Sequence, residues 1–555
     1  PNLAEAKAFN VPLFSDRELI AATYARERMI FDIECYPNYF LIAFTGLSSR
    51  KIVYFEMTPD MPLDVEKLAW VMNGFCLVSF NGINYDLPIA ALALAGKDNG
   101  HLFHATEEII LRNERPQDVL KRAKVKRLRV NHIDLIEVAP LRANLKIYSG
   151  RLHAPRMQDL PFVPGTKLSN DQMDIVRWYC CNDLENTCLL YNELEEQIQL
   201  RETLGIAYGV DLRSKSDAQI SETVISTEVA KINGSRAGKP DIPPGTRFNY
   251  QVPPFIKFQT PAMQWTLDLI RNTCFTINDF GEVGLPEQLS DLKIPIAGAV
   301  YRMGIGGLHS SEKKQAHFAD DRHVLIDKDV TSYYPRIILN QGLYPVHLGR
   351  AFLHVYNQLV ERRLHAKHTG NKKVADSLKI AINGSFGKLG SPYSVLYSPH
   401  LLIQTTLTGQ LALLMLIEAL ELASIPVVSG NTDGIILKCP RLSETHAKAI
   451  VAAWERDTGF ETEETRYRAV FSRDVNNYIA IKEDLAYKVK GAYSERGSAQ
   501  NSVLSKNPSG LIAIDAVLAF LTTGRPITDT IRNCRDIRRF VVVRSVTGGA
   551  VKDGN

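Results

Sequence analysis

Two sets of acidic residues stand at spacings that chemistry can use. The first holds Asp32 and Glu34 in FDIEC (31–35), Asp86 closing NGINYD (81–86), and Tyr179 and Asp183 in YCCND (179–183). Side chains alternate along a strand, so Asp32 and Glu34 share one face. Tyr179 and Asp183 are one helical turn apart and share the face of a helix. Four carboxylates and a phenol brought together repel, and two bound cations are their natural counter-charge. That chemistry is phosphodiester hydrolysis, with one metal generating hydroxide, the other steadying a leaving 3′-oxygen, and Tyr179 orienting the water. A lone D-x-E pair is weak evidence, whereas three such motifs in order are strong.

The second set is Asp329, at the end of the strand-like run VLIDKDV, and Asp433, in the turn of GNTDGIILKC (430–439). A single Asp in a glycine-flanked turn is ordinarily turn chemistry. Paired with a carboxylate at a strand end, it could instead hold two divalent cations roughly 4 Å apart for in-line phosphoryl transfer. Between the two lies a predicted helical hairpin, 351–387, reversing near HTGN (368–371). Phe352, Tyr356, Leu359, Arg363 and Lys367 recur at three- and four-residue spacing, and Lys379, Asn383 and Gly387 form a face on the returning helix. Arg363, Lys367 and Lys379 aimed into one groove suit a triphosphate. A merely exposed basic hairpin is the plain alternative.

Several domains must carry these sets, because 555 residues exceed what one core can bury. The composition, 45% apolar and 23% charged, is that of a water-soluble globular chain, and no stretch approaches the ~20 apolar residues of a membrane span. Gln410–Ala423 comes nearest and is interrupted by Glu418 and Glu421. Eight cysteines without a CxxC pair read as reduced thiols, not as a disulfide framework or a zinc or iron–sulfur site. The chain opens at Pro1 with no basic-then-apolar leader, which suggests a fragment of a longer frame and a cytoplasmic setting. A net charge of +4 leaves nucleic-acid binding to local patches such as KRAKVKRLR (121–129), whose default reading is a solvated face. Short apolar runs alternate with helical segments over the first 200 residues, predicting an α/β domain; six prolines in 240–261 predict a linker or extended connection; a second α/β region is expected over 297–490, and a helical tail after it.

DVTSYYP (329–335), KIAINGSFG (379–387) and NTDG (431–434) resemble, in order, the three polymerase motifs of family B DNA polymerases. FDIEC, NGINYD and YCCND resemble the three motifs of DEDDy 3′-5′ proofreading exonucleases. The resemblance covers most of residues 30–490 and implies a multi-domain α/β and α+β chain, bacteriophage-type, with a ribonuclease-H-like exonuclease domain followed by a right-hand polymerase. The implied boundaries are 1–200 exonuclease, 201–296 connection, 297–350 and 388–495 palm, 351–387 fingers and 496–555 thumb. Asp329 and Asp433, aided by the Val330 carbonyl, are the implied palm ligands, and Asp32, Glu34, Asp86 and Asp183 the exonuclease ligands, each site taking two Mg²⁺ or Mn²⁺. Tyr334 matches the position beneath the incoming sugar that excludes a 2′-hydroxyl, and Asn383 the position lining the nascent base pair. Asn81 and Tyr85 would contact the frayed primer. YRMGIGG (301–307), from Tyr301 to Gly307, looks like the DNA-contacting segment joining exonuclease and polymerase parts, and Tyr478 in VNNYIAI belongs to a primer-gripping segment.

Several positions depart from these patterns. Asn431 stands where the family has an Asp, Gly434 and Gly384 replace Ser, Phe386 replaces Tyr, and Asn476 replaces the primer-gripping lysine, a charge that Lys488 or Lys490 would have to supply. Only 43 residues separate Pro335 from Lys379, so the insertion of protein-primed phage relatives is not expected. The implied activity is primer extension by a DNA-directed DNA polymerase with proofreading in phage replication, in the cytoplasm of an infected bacterium. The implied partners are primer-template DNA, dNTPs and phage or host replication proteins, with the chain a monomer away from membranes. The alternatives are an exonuclease whose polymerase site is impaired by Asn431, and a non-catalytic DNA-binding scaffold.

Overall fold

The apolar runs of the first 140 residues assemble into one five-stranded sheet. Its strands are β1 (Arg28–Tyr36), β2 (Tyr39–Gly46), β3 (Ile52–Met57), β4 (Cys76–Ser79) and β5 (His132–Asp134), seen in a computed structural model that describes residues 3–141, 143–493, 504 and 510–543. The order is β3-β2-β1-β4-β5, with β1 antiparallel to β2 and parallel to β4, and β4 parallel to β5. Both faces are covered, so the strands read as near-continuous apolar runs. Met29, Phe31 and Ile33 join one core, and Ile30 joins another with Leu41, Val176, Cys180 and Leu184. Strand alternation thus turns Asp32 and Glu34 toward the long helix Asn170–Tyr208, which bears Tyr179 and Asp183. A capping box of Ser169 and Gln172 starts this helix and a left-handed Gly209 (φ 69°) stops it. It runs straight through the expected boundary at residue 200.

Arg201, almost wholly buried, locks the long helix to the next, Asp217–Asn233. Its guanidinium donates to Asp217 Oδ1 (2.7 Å), the Lys215 carbonyl (2.8 Å) and the Gln197 carbonyl (3.0 Å). The proline-rich stretch beyond is an extended connection and not a free linker. It lies along the helix Pro399–Leu422, where Gln404 exchanges hydrogen bonds with the Gln251 backbone and Glu418 accepts from the amides of Gln259 and Thr260. A two-stranded ribbon, β6 (Arg247–Asn249) with β7 (Cys274–Thr276), flanks it.

The second half is built on a ten-stranded sheet: β8 (Ile294–Ile296), β9 (Ala299–Arg302), β10 (His309–Ser310), β11 (Lys313–Phe318), β12 (His323–Val330), β13 (Val427–Asn431), β14 (Gly434–Pro440), β15 (Thr462–Asp474), β16 (Asn477–Lys482) and β17 (Tyr487–Lys490). The order is β17-β16-β15-β12-β14-β13-β10-β9-β8, and β11 pairs with β15 off that path. Behind it runs Pro399–Leu422, long and apolar enough to cross a membrane by length and composition, contrary to the expectation that no such stretch exists. Its most apolar window is 89% buried in the fold, and its polar residues tie in neighbouring segments: Thr406 donates to the Ile305 carbonyl (2.8 Å) and Gln410 to that of Gly304 (2.9 Å). Helices Arg350–His368 and Lys372–Leu389 form a hairpin over the sheet. The tail contributes Leu511–Thr523 and Ile527–Asn533; residues 496–503, 505–509 and 544–555 of the expected thumb lie outside the described residues.

Candidate active sites

The first cluster gathers on the face of the five-stranded sheet that the long helix covers. Asp86 opens the helix Asp86–Leu94 after a short loop beyond β4, the parallel neighbour of β1, and so reaches the same end of the sheet as Asp32 and Glu34. Glu34, Asp86, Tyr179 and Asp183 are all buried. Burial and the Asp183 charge push the Asp32 carboxyl up to about 8. Burial, then Asp32 and Asp183, raise Glu34 well above the usual carboxylate range, and burial, then Asp32, do the same for Asp86. Asp183 is also raised by burial, opposed by a hydrogen bond from Tyr179 and by the charge of Lys146. Lys146 Nζ sits 5.3 Å from the centre of the Tyr179 ring.

Asp86 Oδ1 and Asp183 Oδ1 are buried without a hydrogen-bond partner. Unpartnered buried carboxylate oxygens beside two further carboxylates are the donor set that hard divalent cations take, and they are costly in any other company. The loop leading to Asp86 is held by a residue that pattern reading passes over. Asp134, fully buried at the end of β5, accepts from the amides of Asn81 (2.7 Å) and Ile83 (2.9 Å), fixing Asn81 in the left-handed region (φ 67°). The Asn81 side chain accepts from Asn84, and the Tyr85 hydroxyl meets Thr106 Oγ1 at 3.3 Å, leaving its ring as the part it can offer. Cys180 is the second residue missed. Its Sγ stands 4.0 Å from Asp32 Oδ2.

The second cluster lies where β12, β13 and β14 meet the helical hairpin. Asp329 pairs with Gly434 across β12 and β14, and the Val330 amide donates to the Asp433 carbonyl at 2.7 Å, which holds the Asp433 turn beside the end of β12. Both carboxylates line one cavity of about 720 Å³, together with Val330, Tyr334, Arg363, Lys367, Lys379, Asn383, Tyr478, Lys488 and Lys490. Burial, and next the Asp433 charge, push Asp329 up to about 6. Asp433 is raised by burial, opposed first by Lys490. Lys490 is itself pulled down by burial, while for Lys488 the neighbouring Asp327 and Tyr478 outweigh burial and hold the ammonium above its ordinary value. Lys488 and Lys490 therefore sit at the carboxylates themselves.

The hairpin supplies the opposite wall. Arg363 donates to Ser332 Oγ (3.0 Å), Lys367 pairs with Glu463 (2.7 Å), and Lys379 makes no ion pair among the described residues. Tyr334 stacks on Phe386 with centroids 4.5 Å apart and donates its hydroxyl to the Gly306 carbonyl (2.8 Å). Gly409 lies close beneath the ring, where a Cβ would stand 3.2 Å from Tyr334 and 3.3 Å from Tyr333.

The departures from the family pattern have local causes. A Cβ on Gly434 would come 3.0 Å from Asp329 Oδ1. One on Gly384 would strike the Asp217 carbonyl at 2.6 Å, since the helices Lys372–Leu389 and Asp217–Asn233 cross there. Asn431 Nδ2 donates to the Val475 carbonyl (3.1 Å), a bond a carboxylate could not make. Asp327, also missed, sits two residues before Asp329 on the same strand face, where Tyr467 (2.7 Å) and Lys488 (3.4 Å) bond its Oδ2.

Tyr301 and Gly307, read as DNA contacts, are buried. The Tyr301 ring packs under Gly430, and Gly307 (φ 141°) lies so close to Thr432 that a Cβ would meet it at 2.8 Å. YRMGIGG supports the Asp433 turn from behind, as β9 and the loop after it.

No family model matches the chain, and no curated protein matches it. Among solved structures it is similar to the family B DNA polymerase from the hyperthermophilic archaeon Pyrobaculum calidifontis, at 15% identity and a TM-score of 0.42, with 91% of this chain covered. The chain spans 64% of the length of that polymerase.

Proposed function

We propose that the chain is a template-directed, primer-extending DNA polymerase with a 3′-5′ proofreading exonuclease, acting in phage DNA replication in the cytoplasm of an infected host. Residues 1–200 would edit, 201–296 connect, 297–350 and 388–495 form the palm, 351–387 the fingers and 496–555 the thumb. The observation that carries the reading is the single cavity in which Asp329 and Asp433 face Arg363, Lys367 and Lys379 from the helical hairpin. Two carboxylates opposite three cations suit a nucleoside triphosphate bound between cation-binding oxygens and phosphate-binding side chains.

Asp329, Asp433 and the Val330 carbonyl would hold divalent cations at one site, and Asp32, Glu34, Asp86 and Asp183 at the other; when bound, such ions would supply Lewis acidity and charge neutralisation. Arg363 and Lys379 grip the triphosphate, and Lys367 joins them on release from Glu463. Tyr334, fixed by Phe386 and the Gly306 carbonyl, forms a rigid floor under the sugar that leaves no room for a 2′-hydroxyl. Asn383 lines the base pair, and Tyr478, Lys488 and Lys490 take the primer side. At the editing site Tyr179 orients the attacking water, Lys146 offers a positive charge beside it, and Asn81 and Tyr85 receive the unpaired primer end.

The rival reading, an exonuclease with a disabled polymerase site, rests on Asn431. The hydrogen bond from its amide to Val475 speaks instead for an asparagine built into the turn. Extension and degradation of a labelled primer-template, resolved on one gel with Mg²⁺ and then Mn²⁺, separate the two. The intact chain should do both, and an absence of extension with either metal at every dNTP concentration would leave only the rival.

A further inference from the structure

Among the described residues, one group of side chains offers sulfur and oxygen together at metal-ligating range. An oxygen of Asp32, an oxygen of Glu34 and the Sγ of Cys180 all lie within 4.8 Å of one another. Ligands of a tetrahedral zinc ion are separated by roughly 3.5 Å, given its bond lengths to oxygen and sulfur, so the three side chains would draw in to bind one. A cysteine alone would signify little, but the same cluster contains Asp183 Oδ1 and Asp86 Oδ1, both buried and unpartnered. Asp183 follows Cys180 by three residues on the long helix, so sulfur and carboxylate project from one face. The cavity around Asp329 and Asp433, by contrast, has no cysteine or methionine in its lining.

We propose that Cys180 makes the editing site a mixed sulfur–oxygen centre that takes borderline and soft divalent cations, Zn²⁺, Cd²⁺ and Co²⁺, in competition with Mg²⁺. Thiolate ligands select such ions, whereas all-oxygen sites favour Mg²⁺ and Mn²⁺. The Cys180 thiol gives its proton to solvent as the Sγ–metal bond forms. Soft cations then silence editing while leaving the other cavity in service. This rests on the nuclease half of the proposed function for its consequence, though not for the binding itself.

Co²⁺ titrated into the metal-free full chain, carrying Cys76→Ser, Cys274→Ser and Cys534→Ser to remove the three thiols that are not buried, should produce a thiolate-to-cobalt charge-transfer band at one equivalent. The band should persist in Cys181→Ser and vanish in Cys180→Ser and Cys180→Ala. No band in the parent, or a band that survives both Cys180 substitutions, overturns the proposal. Should the Cys180 variants fail to fold, the ¹¹³Cd resonance of the unmutated protein decides it, through a chemical shift characteristic of sulfur coordination or of oxygen ligands alone. In the activity arm, stoichiometric Cd²⁺ should lower Mg²⁺-supported degradation at least about tenfold and change extension less than about twofold. Degradation in Mg²⁺ with no cobalt band would sink this inference and spare the function; a band without degradation would do the reverse.

Discussion

The two carboxylate clusters differ in what stands around the charge. On the five-stranded sheet, four carboxylates are enclosed between β1 and the long helix, and Lys146 is the cation whose charge reaches Glu34 and Asp183. On the ten-stranded sheet, Asp329 and Asp433 open into a cavity in which Lys488 and Lys490 already oppose their charge. The first cluster must be neutralised by protons or metal, because the chain supplies too little positive charge. The second is partly neutralised by the chain, and its remaining cations point at whatever anion enters. Burial makes the first cluster hold protons, and openness leaves the second with cations facing a solvent-filled cavity.

The sharpest way to break this comparison is to remove one carboxylate from each cluster. Asp433→Ala should cut primer extension by about 10³-fold or more and leave degradation in place, and Asp32→Ala should do the converse. Rates from the same gel check it. Loss of both activities from either substitution would mean that the clusters are one functional unit.

Protonation provides the next largest contrast. Asp32 holds its proton up to about 8 in the fold and only to about 4 in the unfolded chain, so over that window the folded state binds more protons. With chelator present, stability therefore falls as pH rises from about 4 to 8, by up to roughly 3 kcal/mol once the residual solvent access of Asp32 is allowed for. For Asp329 the corresponding window closes near 6. Added Mn²⁺ should accordingly raise the melting temperature by an increment that keeps growing between pH 6 and 8, and Asp32→Asn should reduce that growth, with Glu34 and Asp86 carrying the remainder. Melting curves with EDTA and with Mn²⁺ across this range measure it. An increment that stops growing at pH 6 would show the first cluster to be no more proton-bound than the second.

A third contrast concerns the cations. Lys379 has no carboxylate partner among the described residues, so its charge is available to phosphate. Lys379→Ala should raise the KM for dNTP by about 10- to 50-fold, the loss expected for one charge-assisted contact, with degradation of single-stranded primer unaffected. Lys367→Ala should do less, since Lys367 is paired with Glu463. Equal effects would mean that the ion pair does not hold Lys367 back.

Much of this contrast was legible in the chain itself. Period-two alternation turns Asp32 and Glu34 to one face, four-residue spacing aligns Tyr179 with Asp183, and the apolar runs flanking Asp329 and Asp433 become β12 and β14. These are local signals. What stayed hidden depends on packing between distant segments. Asp134 caps the Asn81 loop from another strand, Gly409 lies close beneath Tyr334, and Cys180 meets Asp32 only when the long helix lies on the sheet. The same gap hides the burial of Tyr301 and Gly307, whose glycine-rich surroundings suggest an exposed loop until Thr432 and Gly430 close over them. The central helix Pro399–Leu422 is another case, because its burial reflects partners that no window of sequence contains.

The smallest effect bears on Asn431. If the second site owes its moderate charge to the chain's own residues, a further carboxylate should upset it more than help it. Asn431→Asp removes the hydrogen bond to the Val475 carbonyl, at a cost of about 1 kcal/mol, and brings a negative group into the cavity with Asp329 and Asp433. Lys488 and Lys490 offset part of that charge, so extension should change less than about tenfold, with a slightly lower melting temperature. Were the asparagine instead a defect in an otherwise complete site, aspartate would raise extension well beyond tenfold at unchanged stability. Extension rates and melting curves for this one variant therefore test whether the open cluster is balanced as it stands or lacks a ligand.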